Sequence, residues 1–197
     1  MGGPGAGILL QTPLSASQHT TLEQLLSSLG VRSDDGIHLQ ILTTVPIGGN
    51  YRQAQGRPFA VELAQPTIET HEPQRLLQIF GFLPHQEIRL DAFGNRPEDH
   101  RILGLLTLTL AERFSGVVDF GGALFPSLPP RVYENGWFGQ ASWEEVAEYS
   151  RKLINSLPGV AVELPYETGM GRTWVYHVAD SAFLRAWLAH PDFHMIK

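Results

Sequence analysis

The stretch Ile102-Leu103-Gly104-Leu105-Leu106-Thr107-Leu108-Thr109-Leu110-Ala111 constrains this chain more than any other. Wound at helical pitch it leaves almost no polar face, and such a helix is buried on several sides. The spacing therefore predicts a central helix with other elements packed around it. A second constraint comes from Val160–Leu164 and Thr173–Val178, two strand-like runs joined through Thr168-Gly169-Met170-Gly171. The glycines suit the positive φ of a hairpin turn, so these runs predict an antiparallel pair. Helices and strands intermix without the regular alternation of a doubly wound sheet. The expectation is an α+β fold: helices packed on a mixed, largely antiparallel sheet, with one central buried helix.

The remaining elements follow from pattern. Ala6 to Gln11, Ile37 to Leu42, Pro58 to Ala64, Glu87 to Asp91 and Val117 to Phe120 read as strands. Thr20 and Glu23 have capping-box spacing before Leu22, Leu25, Leu26 and Leu29, and Gly30 suits a left-handed helix end. Pro73 suits a first helical turn, with Leu76, Leu77 and Phe80 as the buried face and Gly81 as the stop. Asn95 and Glu98 form a second capping box around Pro97. Ser142 and Glu145 form a third, ahead of Trp143, Val146, Tyr149, Leu153 and Ile154. Asp180 caps a last helix carrying Phe183, Leu184, Trp187 and Leu188, and Phe193 to Ile196 suits a final strand. Ile47 to Gly56 is rich in Gly, Asn and Gln and reads as a loop. One domain spanning 1–197 is expected, with the Pro-rich stretch 126–130 as the best internal boundary.

Composition narrows the function classes. Apolar residues make up 43% and charged residues 17% of 197, which sets the chain apart from disordered sequences. The net charge is −6, with only Lys152 and Lys197 as lysines and twelve scattered arginines, so no basic stripe for nucleic acid is present. There is no cysteine, which removes disulfides, thiolate metal sites and cysteine nucleophiles together. No apolar run reaches the ~18 residues of a membrane span. The start, Met1 to Gly7, carries no Lys or Arg before the short Ile8-Leu9-Leu10. These features make the cytoplasm the expected compartment, with no cofactor expected.

Several motifs invite chemistry and mostly decline it. Gly3-Pro4-Gly5-Ala6-Gly7 lacks the preceding strand and the Gly-Lys-Ser/Thr ending of a phosphate loop. Asp119-Phe120-Gly121 spells a kinase tripeptide, but no lysine precedes it and no catalytic-loop motif accompanies it. Asp119 keeps interest as a carboxylate at a strand end; the alternative is an acceptor for loop amides. Asp99 and His100, beside Glu98, suit a carboxylate–imidazole pair for general-base work, or simply answer the helix dipole. His190 and His194 flank Pro191, which breaks the helix that would bring them together, and in extended chain they lie roughly 13 Å apart. No metal site is expected. No Gly-x-Ser-x-Gly elbow occurs; a pair of glycosidase carboxylates stays open. Tyr133, Glu134, Trp137 and Phe138 stand among Asn135, Gly136 and Gly139, so the segment either presents a binding surface or folds back as a lid. Asp34 and Asp35 supply an acidic rim.

The acidic balance, the absent cysteines, the strand end Val117-Val118-Asp119-Phe120-Gly121-Gly122 and the closing Phe183-Leu184-Arg185-Ala186-Trp187-Leu188 and Phe193-His194-Met195-Ile196-Lys197 together resemble the immunity proteins of bacterial polymorphic-toxin systems. The resemblance implies a binding protein that sequesters a cognate toxin domain, and it assigns no residue a role. On this reading Tyr133, Glu134, Trp137, Phe138, Asp34 and Asp35 meet the partner. Two other classes stand beside it. One is a small hydrolase or transferase using Asp99, His100 and Asp119, which requires the three to converge in one pocket. The other is a structural or regulatory subunit of a homo-oligomer.

Overall fold

The computed structural model describes residues 2–66, 72–126, 143–167 and 173–196. They form one eight-stranded sheet and five helices: β1 (Gly5–Leu10), α1 (Ala16–Leu29), β2 (Gly30–Arg32), β3 (His38–Thr43), β4 (Arg52–Ala64), α2 (Glu72–Phe80), β5 (Gln86–Ala92), α3 (Pro97–Phe114), β6 (Val117–Asp119), α4 (Trp143–Ser156), β7 (Ala161–Glu167), β8 (Thr173–Ala179) and α5 (Ser181–Ala189). The strand order is β2-β3-β4-β5-β1-β6-β8-β7. Every pairing that joins these neighbours is antiparallel, so the sheet is more uniform than a mixed one.

The class is α+β, and the apolar run governs it. Ile102, Leu103, Leu106, Leu110 and Ala111 of α3 are buried against Ile8 and Leu10 of β1, Ile88 and Leu90 of β5, and the inner faces of α1 and α5. Leu22, Leu25, Leu26 and Leu29 of α1 and Phe183, Leu184, Trp187 and Leu188 of α5 complete this layer. Side chains alternate across a strand. Leu9, Val117, Val162, Leu164 and Val178 therefore point to the opposite face, where Leu76, Phe80 and Phe82 cover them. Only the β1-β6-β8-β7 half of that second face is covered by this cluster.

Five local expectations are corrected. Helix α1 starts at Ala16, because Ser15 and Gln18 form its capping box (Gln18 N to Ser15 Oγ 3.3 Å, Ser15 N to Gln18 Oε1 2.9 Å). Thr20 and Thr21 are interior and donate back to the Ala16 and Ser17 carbonyls. Gly30 is extended (φ 171°) and opens β2; a Cβ there would come within 1.9 Å of the Gln40 carbonyl oxygen. Helix α3 is capped through Arg96 and Asp99, not Asn95 and Glu98: Asp99 Oδ2 accepts the Arg96 amide at 2.9 Å. The expected loop 47–56 is shorter, since β4 begins at Arg52 and a 3₁₀ turn occupies Val45–Ile47. Phe193 to Ile196 pairs into no strand. That segment is clasped instead: Gly5 N donates to Ile196 O (3.0 Å), Trp187 Nε1 to His194 O (2.9 Å), and Phe193 packs on the Trp187 ring. The expected cap at Ser142 and the boundary at 126–130 fall wholly or largely outside the described residues.

Helical spacing puts Leu77 on the buried face of α2, but it is 48% exposed, whereas Leu106 is fully buried. Thermal or denaturant unfolding of Leu106→Ala should show a loss of about 2–5 kcal/mol. Leu77→Ala should lose under about 0.5 kcal/mol.

Candidate functional site

The three residues of the hydrolase reading do not converge. Asp99 is 1% exposed and faces the α3 layer, where Arg57 Nη1 donates to its Oδ1 at 3.1 Å. Arg57 in turn donates through Nε to Tyr51 Oη (3.1 Å) and stacks over that ring. The Tyr51 contact and the Asp99 charge both hold the guanidinium in its charged form. His100 is spent on the closing segment: its Nδ1 lies 3.0 Å from the Met195 amide and carbonyl, and its Nε2 3.2 Å from Asn95 Oδ1. Accepting from the Met195 amide leaves Nε2–H to donate to Asn95. Asp119 points to the other face of the sheet, and its Oδ1 accepts the Gly121 amide at 2.7 Å. Strands β5 and β1 lie between Arg57 on β4 and Asp119 on β6, about 14 Å at ordinary strand spacing. The cleft beside α3, about 380 Å³, is lined by Thr44, Asn50, Tyr51, Glu98 and Arg101 and includes neither Asp99 nor His100.

A buried histidine that the sequence did not single out is His177 on β8. Its Nδ1 accepts the Leu124 amide at 3.0 Å, which puts the ring proton on Nε2. Ser150 Oγ, on the α4 layer, is buried as well, and neither it nor His177 Nε2 has a hydrogen-bond partner among the described residues. Glu163 stands opposite His177 in the β7–β8 register and is paired with Arg151 at 2.9 Å. A serine–histidine–glutamate relay needs the opposite tautomer, with Nε2 as acceptor. With Nδ1 accepting from Leu124, His177 holds the other tautomer. No group of three or more His, Asp or Glu suited to a metal occurs among the described residues.

What the structure does assemble, among the described residues, is a sheet face with more carboxylates than guanidinium groups, Glu87 buried and Glu62 exposed. On the second face of the sheet the register aligns Glu62 (β4), Arg89 (β5), Gly7 (β1) and Asp119 (β6) in one cross-strand row. Glu87 and Asp91 flank Arg89 on the same face of β5, and Arg89 Nη2 donates to Glu87 Oε2 at 3.1 Å. Both carboxylates lean over β1, which carries no side chain at Gly5 or Gly7. A Cβ there would meet Asp91 Oδ1 at 2.8 Å or Glu87 Oε1 at 2.4 Å. The half-burial that results raises the Asp91 carboxyl pKa, against the pull of Arg89. Toward the β2 edge the same face turns apolar: Val31 is 61% exposed, Phe93 47% and Leu42 37%. Phe93 stacks on His38 at 5.5 Å between ring centroids.

The β2–β3 turn adjoins this end. Asp35 spends its oxygens there, on Ser33 Oγ, the Ile37 and His38 amides and the His38 ring. Those bonds, Ser33 first, hold its carboxyl well below the usual range. Asp34 is exposed. Tyr133, Glu134, Trp137 and Phe138 lie outside the described residues. Glu62, Asp91 and Phe93 escaped the sequence reading because nothing local marks them. Only cross-strand register puts them beside Asp119.

A family model matches residues 2–197, nearly the whole chain. The chain belongs to DUF6368, a family of unknown function. No curated protein and no solved structure matches it. No helix among the described residues of this DUF6368 member is long and apolar enough to cross a membrane.

The Asp99–Arg57 pair is structural on this geometry. Asp99→Ala should cost about 3–5 kcal/mol in chemical denaturation, since it leaves a largely buried guanidinium uncompensated. Asp119→Asn, which keeps the acceptor for Gly121, should cost less than about 1 kcal/mol.

Proposed function

We propose that this protein is a cytoplasmic binding module of the immunity type, and that it docks a basic partner, a cognate toxin domain, on the open half of its sheet. The observation that carries the reading is the juxtaposition on one face of exposed Val31, Leu42 and Phe93 with exposed Glu62 and half-buried Asp91. An apolar patch bordered by charge that is acidic on balance, with Arg89 standing among the carboxylates, suits a protein interface: rings supply affinity, and charge steers the encounter. The net charge of −6 adds long-range attraction for a cationic surface. The family match brings no activity with it, so the proposal rests on this surface and on the resemblance of the sequence. The hydrolase reading loses its support, because Asp99, His100 and Asp119 serve the ion pair, the closing segment and a turn.

Affinity capture from the native host, at low and at high salt, tests this. The expected result is one stoichiometric basic protein, held at low salt and released at high salt. Phe93→Ala, or Glu62→Lys with Asp91→Lys, should weaken that capture at least about tenfold while leaving the fold intact. Absence of a partner at either salt, or capture indifferent to both variants, would contradict the proposal.

A further inference from the structure

Residue His177 binds the chain that leaves β6 at three points. Its amide donates to Gly122 O (3.1 Å), its carbonyl accepts from Phe120 N (3.0 Å), and its ring Nδ1 accepts from Leu124 N (3.0 Å). The first two bonds are backbone contacts, insensitive to the state of the ring. The third requires a neutral imidazole, because a protonated Nδ1 carries a hydrogen and cannot accept. The ring is fully buried, and its Nε2–H has no partner among the described residues to delocalise an added charge. Phe120 and Leu124 are themselves fully buried, Phe120 against the Phe183 ring of α5 at 6.3 Å. The turn is therefore pinned on an apolar floor by one acceptor that a proton would remove.

We propose that His177 is a proton-operated clamp: the neutral ring holds Gly121–Leu124 against β8, and protonation frees the Leu124 end of that turn while the sheet stays intact. The charged groups that face the ring, among the described residues, are Glu163 on β7 and Arg151 on α4, and they oppose each other. Burial dominates and pulls the ring down to about 4; Glu163 and the Gly122 carbonyl favour the charged ring, and Arg151 disfavours it. Asp119, on the opposite face of the sheet, does not face the ring; its Oδ1 holds the Gly121 amide at the other end of the turn. The direction follows by linkage. A histidine whose clamped value lies below its ordinary 6.5 favours the clamped form fully above pH 6.5, and that preference is lost as pH falls toward 4. Between those limits the ratio of open to clamped turn rises with falling pH, by at most about tenfold per pH unit.

Nuclear magnetic resonance on the intact chain reads this directly. At pH 7 the ¹⁵N shifts of His177 should show Nδ1 as the unprotonated, accepting nitrogen. Between pH 6.5 and 4 the exchange protection factor of the Leu124 amide should fall by at least tenfold, while that of Ile8 in the centre of the sheet is unchanged. His177→Gln, which cannot titrate in this range, should remove the pH dependence at Leu124. Leu124 protection that is flat across the range, or that falls in step with Ile8 as the whole fold opens, would overturn the clamp. So would a neutral ring protonated on Nδ1. Should His177→Gln not fold, the wild-type titration decides alone.

Discussion

Everything in this fold is arranged around the need to hide α3. Its first turn is polar, but from Ile102 onward apolar side chains leave in nearly every direction, so one sheet face alone does not bury it. The sheet covers it from one side, through Ile8, Leu10, Ile88 and Leu90, and helices α1 and α5 lie beside it in the same layer. The closing segment then packs where Gly104 leaves room, with the Phe193 ring where a Cβ would otherwise stand. Asp99 and Arg57 neutralise each other at the polar end. Among the described residues, four of the five helices thus contribute to one face, and α2 is the helix that dresses the other, over β1, β6, β8 and β7. The uncovered remainder follows from this asymmetry.

That remainder has a chemistry set by glycine. Strand β1 lacks side chains at Gly5 and Gly7 on the open face, so Glu87 and Asp91 of the neighbouring strand lie flat across it rather than standing into water. Arg89 answers one of them directly. The excess of carboxylate over guanidinium, next to Phe93 and Val31, makes a surface suited to a cationic and partly apolar partner. Hot interfaces combine a desolvated ring with charges at its border, and this face has both within a few strand widths.

Period and punctuation made the elements legible. The leucine spacing of α1, the helix cap at Asp180, the apolar run of α3 and the hairpin of β7 with β8 all stand where the sequence pattern puts them. Local chemistry was ambiguous where two residues compete for one cap, as Ser15 does with Thr20 and Asp99 with Glu98. The bonds that form run from the Ser15 amide to the Gln18 side chain and from the Arg96 amide to the Asp99 side chain. Sites spread over several strands were not legible. Asp119 was visible, but its neighbours Glu62 and Arg89 come from positions 57 and 30 residues away, and only the register joins them. From the sequence His177 reads only as a strand residue, because its accepting role depends on an amide 53 positions upstream.

Carbodiimide labelling of carboxylates, compared between the free protein and its complex with the captured partner, tests the central claim most directly. The account predicts that Glu62 and Asp91 lose reactivity on binding, while Glu98 on the far side of the sheet keeps it. Unchanged labelling at Glu62 and Asp91 in a stable complex would contradict it, and would place the interface elsewhere on the molecule.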